Sequence, residues 1–130
     1  MTGRIGAIIG LSQAAQRYPS VYIGQRAFAA TQEARGHSVV GDRVRAEHML
    51  DVAAQRADEI PGTPADAPPW NYDTPALITL ERGLVQRQLG RNQAASDLLT
   101  AGMAALPAEH RDAEWTAKYS RALAEVQTLL

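Results

Sequence analysis

Three histidines, His37, His48 and His110, are the side chains in this 130-residue chain best suited to acid–base or metal chemistry near neutral pH. None stands at a metal-binding interval such as H-E-x-x-H. Glu47 points to a different helix face from His48, and Asp51 lies one turn further, the spacing of a surface ion pair. His110 sits in a charged run with Glu109, Arg111, Asp112 and Glu114 that reads as a solvated loop. Ser12, Ser20, Ser38, Ser96 and Ser120 include none in a G-x-S-x-G elbow. The chain has no cysteine, which excludes thiol nucleophiles, thiolate metal sites and disulfides together. An early GRIGAIIG run has neither the G-x-G-x-x-G order nor the Lys-Ser or Lys-Thr of a phosphate loop. No catalytic residue, metal ligand or cofactor is therefore assigned, and the chemistry the sequence supports is recognition.

Size and composition narrow what could be recognised. The length fits one domain able to bury a core without covalent staples. Hydrophobic residues make up 45% and aromatics only 5%, a composition suited to close-packed helices rather than sheets. A formal net charge of -1 provides no field to hold a phosphate backbone or an anionic membrane, so neither nucleic acid nor membrane is an expected partner. The apolar run at residues 5–11 is too short to span a bilayer and has no A-x-A cleavage pattern after it, which gives a cytoplasmic expectation.

The best-determined stretch is residues 75–107. Thr74 before Pro75 is a favoured helix opening, because the hydroxyl can accept an early N–H and proline has none to leave orphaned. That helix runs to about Leu89, Gly90 supplies a left-handed stop, and Asn92 is the expected cap of a second helix ending before Pro107. The second helix carries Ala94, Ala95, Leu98, Leu99, Gly102, Met103 and Leu106 at three- and four-residue spacing. Small residues at Gly83, Ala95 and Gly102 mark where the two helices cross.

Upstream, residues 3–17 read as a helix with Ile5, Ile8, Ile9, Ser12 and Ala15 on one face. A helix follows the Ser20 cap to about Arg35, stopped by Gly36. Residues 37–41 read as a short insertion, and Asp42 caps a helix closed by Pro61. In it Ala46, Leu50 and Ala53 repeat the order of Ala95, Leu99 and Gly102, while Ala29 before Gly36 matches Gly83 before Gly90. The expected layout is a hairpin at 20–60, a proline-rich linker at 61–73, a hairpin at 74–107, and a helix at 112–129 capped by Asp112 that carries Trp115, Tyr119, Leu123 and Val126. Trp70 and Tyr72, beside the linker, could plug the hairpin seam or form a ligand-facing rim.

The order of small and large residues resembles the tetratricopeptide repeat, with Thr79, Gln86 and Gly102 departing from its pattern. The resemblance implies an all-α fold of about six helices stacked as hairpins in a short right-handed solenoid, with the first helix of each hairpin lining a concave groove. It places Ile23, Arg26 and Ala30, then Leu77, Leu80, Leu84 and Arg87, on that inner side, where Arg26 and Arg87 could anchor a carboxylate. From about residue 20 onward, Pro68, Pro69, Trp70, Tyr72, Asp73, Leu89, Gly90, Arg91, Ala95, Leu98, Leu99, Ala105, Leu106 and Pro107 also resemble the C-terminal region of actinobacterial Xre-type helix-turn-helix transcriptional regulators. That region is held to serve sensing or dimerisation. The implied function is a non-catalytic module binding a protein or peptide, or pairing with itself through the N-terminal helix. The alternative is a small-molecule-gated sensor. If Ala95 sits at a helix crossing, Ala95→Leu is expected to unfold the domain, since overpacking there costs about 1–3 kcal/mol or more. An unchanged melting temperature would place the crossing elsewhere.

Overall fold

The computed structural model describes residues 5, 6, 8–10, 13, 23–60 and 74–130, and all regular structure in them is helical, with no strand. The helices are α1 (Ile23–Val39), α2 (Arg43–Asp58), α3 (Pro75–Gln88), α4 (Asn92–Ala105), the short α5 (Ala108–Arg111), a 3-10 turn at Glu114–Thr116, and α6 (Ala117–Thr128). Ile5, Gly6, Ile8, Ile9, Gly10 and Gln13 are also helical. The Ser20 cap, Ser12, Ala15 and the whole 61–73 linker with Trp70 and Tyr72 lie outside the described residues.

The second hairpin forms as its residues predict. Thr74 Oγ1 accepts from the Leu77 N–H at 3.3 Å, with Pro75 in the first turn. Gly90 adopts φ 79°, and the N–H groups of Gly90 and Arg91 return to the carbonyls of Arg87 and Gln86 in a Schellman turn. The cap of α4 falls one position before the predicted Asn92, on Arg91, and makes no side-chain hydrogen bond. The helices then interlock through reciprocal small residues. A Cβ on Gly83 would lie 2.8 Å from Leu99 Cγ, and one on Gly102 would lie 2.6 Å from Leu80 Cγ. Each glycine is the recess into which the other helix's leucine fits.

The first hairpin has the same construction but not the predicted stop. Helix α1 continues through Gly36, and the turn comes at Gly41 with φ 83°. Gly41 and Asp42 donate to Ser38 and His37 in the same Schellman pattern as Gly90 and Arg91. The predicted insertion is thus the last helical turn plus the stop. Gly36 serves another purpose: a Cβ there would lie 2.6 Å from Ile9 Cγ1 and 3.7 Å from Ile5 Cγ2, so it admits the N-terminal helical residues. Ile8, predicted to share their apolar face, is exposed. Matching Gly41 to Gly90 sets one interval for the whole hairpin, the interval that also relates Ala46 to Ala95, Leu50 to Leu99 and Ala53 to Gly102. On it, Ala34 rather than Ala29 corresponds to Gly83, and Ala34 packs in the same core as Ala46, Leu50 and Ala53.

Helix α3 joins the two cores. Its Ile78, Val85 and Leu89 pack with α1 and α2, while Ala76, Leu77 and Leu80 pack with α4 and α6 around Ala95, Leu99, Tyr119 and Val126. The charged run after Pro107 folds into α5, and Asp112 ends that helix rather than opening the next. Thr116 precedes α6 and is held by its hydroxyl, which donates toward the carbonyls of Ala113 and Arg111 at 2.6 and 3.0 Å. Gly102→Ala is expected to lose about 1–3 kcal/mol to overpacking against Leu80, outweighing the roughly 1 kcal/mol that alanine gains in a helix. Gly10→Ala, whose Cβ would meet nothing within 4 Å among the described residues, should keep that gain. Urea unfolding of the two variants measures the contrast.

Candidate functional site

Two side-chain contacts set the relation of α6 to α3. Tyr119 O–H donates to Glu81 Oε1 at 2.6 Å, and Arg87 pairs with Glu125, both across 38 residues of sequence. Equal separations six residues apart mean that the helices run parallel and in register. Helix α6 therefore lies alongside α3 in the same direction.

Between α1, α3 and the start of α6 lies an open cleft of about 360 Å³, lined by Phe28, Leu77, Glu81, Trp115, Lys118 and Tyr119. Its walls are mainly apolar and aromatic. The indole of Trp115 meets the Tyr119 ring edge-on at 6.4 Å, and His110 backs Trp115 at 6.0 Å. The polar group is Glu81, a carboxylate only 5% exposed. Besides the Tyr119 hydroxyl, it faces Lys118 Nζ at 3.8 Å, which also lies 5.0 Å above the Tyr119 ring.

Of the residues predicted to line the inner side, Leu77 does so. Leu80 does not, because it is fully buried in the recess of Gly102. Arg87 is engaged with Glu125 on the surface between α3 and α6, so it is not a free anchor for a carboxylate. Ile23 and Arg26 are half-buried on α1 but outside the cleft wall. The Arg26 carbonyl accepts from Arg56 of α2 at 3.2 Å, and the Arg26 Nε is buried with no hydrogen-bond partner among the described residues. Burial, then repulsion from Arg26, lowers the Arg56 pKa. Trp70 and Tyr72 lie outside the described residues.

The misplacement on α1 has one cause. Ending α1 at Gly36 pairs Ile23 with Leu77 and Arg26 with Leu80, whereas the Gly41 to Gly90 match pairs Phe28 with Leu77. A shift of five residues turns a helix by roughly 140°, from one face nearly to the opposite one. The signal that would have found Phe28 was present: Val40-Gly41-Asp42 parallels Leu89-Gly90-Arg91. Glu81, Lys118 and Tyr119 were missed as site residues because their contacts join segments far apart in the chain.

Burial raises the Tyr119 pKa well above its ordinary range, helped by the charge of Glu81 and the hydrogen bond to it, with Arg35 pulling the other way. The unfolded chain releases this proton at lower pH than the folded one. The stabilisation is therefore complete below about pH 10 and is lost as the pH rises above it. In an ultraviolet titration of the four tyrosines, Tyr119 is expected to ionise last, and Tyr119→Phe should flatten the alkaline fall in stability. A Tyr119 that titrates with the others would contradict its burial.

No protein-family model, curated protein or solved structure matches the chain.

Proposed function

We propose that this chain is a non-catalytic binding module, a short tetratricopeptide-like array of helical hairpins whose cleft takes a segment of a protein or peptide partner. The observation that carries this reading is the position of the cleft, open along the parallel α3 and α6 and closed on its third side by α1. An array built this way turns the first helix of each hairpin to one side and offers a groove there. The cleft is mostly apolar with one convergent charged pair, the composition of a recognition site. Following the resemblance of its second hairpin, the module would serve as the regulatory or dimerisation part of a transcription-regulator-like protein.

A small-molecule sensor is the second reading, favoured by the cleft volume of about 360 Å³, within the range of ligand pockets. Its openness toward solvent between separate helices favours the peptide.

Peptides selected by display against the purified domain are expected to shift the backbone resonances of Leu77, Glu81 and Lys118. Trp115→Ala, which removes an aromatic wall of the kind that dominates interfaces, is expected to cost about 2 kcal/mol of affinity with only a small fall in melting temperature. Native mass spectrometry that finds a metabolite bound and no peptide would replace this function with the sensor.

A further inference from the structure

Glu81 is an unusual floor for an apolar cleft. It is 5% exposed, yet it lines the open space beside Phe28 and Leu77. Taking a carboxylate out of water costs several kcal/mol unless hydrogen bonds and an opposite charge compensate it. One oxygen receives the Tyr119 hydroxyl at 2.6 Å. The opposite charge comes from Lys118, whose side chain is 56% exposed and whose nitrogen stays 3.8 Å away, too far for a direct hydrogen bond. Among the described residues, Glu81 thus has one hydrogen bond, from a neutral hydroxyl, and one cation held beyond hydrogen-bond distance.

The Lys118 ammonium also shows what the site accepts. It sits at the mouth, within reach of the Glu81 charge and 5.0 Å over the Tyr119 ring, where the π face attracts a cation. Below it, Phe28 and Leu77 form an apolar wall suited to a methylene chain. A carboxylate deep in the cleft, aromatic faces beside it and an aliphatic wall complement a long apolar stem ending in an ammonium.

We propose that the cleft recognises a lysine side chain presented by a segment of a partner protein, its ammonium taking the place Lys118 now holds near Glu81 and Tyr119, and its stem lying against Phe28 and Leu77. This rests on the cleft being the partner-binding site. Lys118, exposed and loosely held, swings into solvent when the incoming ammonium arrives, so its displacement costs little. The incoming group reaches closer to Glu81 than Lys118 does and exchanges a distant charge for a hydrogen-bonded one.

Capped tetrapeptides Ala-Xaa-Leu-Ala, with Xaa lysine, arginine, norleucine or glutamate, are titrated into the nitrogen-labelled full chain and followed by amide shifts, with butylamine as a small-molecule arm. The lysine peptide is expected to bind about tenfold or more tighter than the norleucine peptide, the margin of a hydrogen bond to a charged group. Glu81→Gln should erase that margin while leaving norleucine binding intact. Lys118→Ala, at an exposed position that leaves the fold alone, should tighten lysine-peptide binding by up to about fivefold by removing the internal competitor. Equal binding of lysine and norleucine peptides overturns the proposal but leaves the cleft a peptide site. Preference for glutamate, equal binding of arginine, or weaker lysine binding by Lys118→Ala likewise overturns it. Butylamine binding as tightly as the lysine peptide overturns the partner-segment assignment. Failure of every peptide to bind overturns the proposal and the proposed function together.

Discussion

The structure depends on the reciprocal fit of two glycines and two leucines between α3 and α4. Gly83 receives Leu99 and Gly102 receives Leu80, each at a separation that a Cβ would violate. A mid-helix glycine costs roughly 1 kcal/mol against alanine, so two of them in adjacent helices are tolerated only because close apposition returns more through packing. Everything else is placed relative to this crossing. Leu80 is locked inward, which turns Leu77 and Glu81 toward the cleft, and α3 is left with a second face for the first hairpin.

The first hairpin repeats the crossing with alanines, Ala34, Ala46 and Ala53, around Leu50. The second hairpin was legible in the sequence because each signal there has one interpretation. Thr74-Pro75 opens a helix, Gly90 must take a positive φ, and Pro107 follows the end. The first hairpin contains two glycines near its turn, and local chemistry does not say which one stops the helix. Gly41 adopts the left-handed conformation, while Gly36 answers a steric demand from Ile9 that becomes visible only when the N-terminal residues are packed. Ending α1 at Gly36 instead of Gly41 turns the expected inner face of α1 away from Phe28. Fold class survived that error because small-large-small order tolerates a shift, whereas a site depends on helix phase.

Long-range polar pairs were the part of the site that the sequence withheld. Glu81 and Tyr119, and Arg87 and Glu125, are each separated by 38 residues, and nothing in their local surroundings announces the pairing. Arg82 shows the same effect on the other side of α3. Burial lowers its pKa, and Asp51 and Asp58 of α2 offset that depression. With Arg91 paired to Glu47, α3 and the turn after it are tied to α2 by charge as well as by apolar packing.

Helix α3 packs against α1, α2 and α4, whereas the main helical neighbours of α6 among the described residues are α4 and α3. An element with fewer packed neighbours opens at lower cost than one held from several sides. The cleft spans this uneven boundary, with one wall on α3 and another on the start of α6. A group seated between the two walls would couple their opening, so slowed hydrogen exchange would extend along α6 beyond the residues it touches.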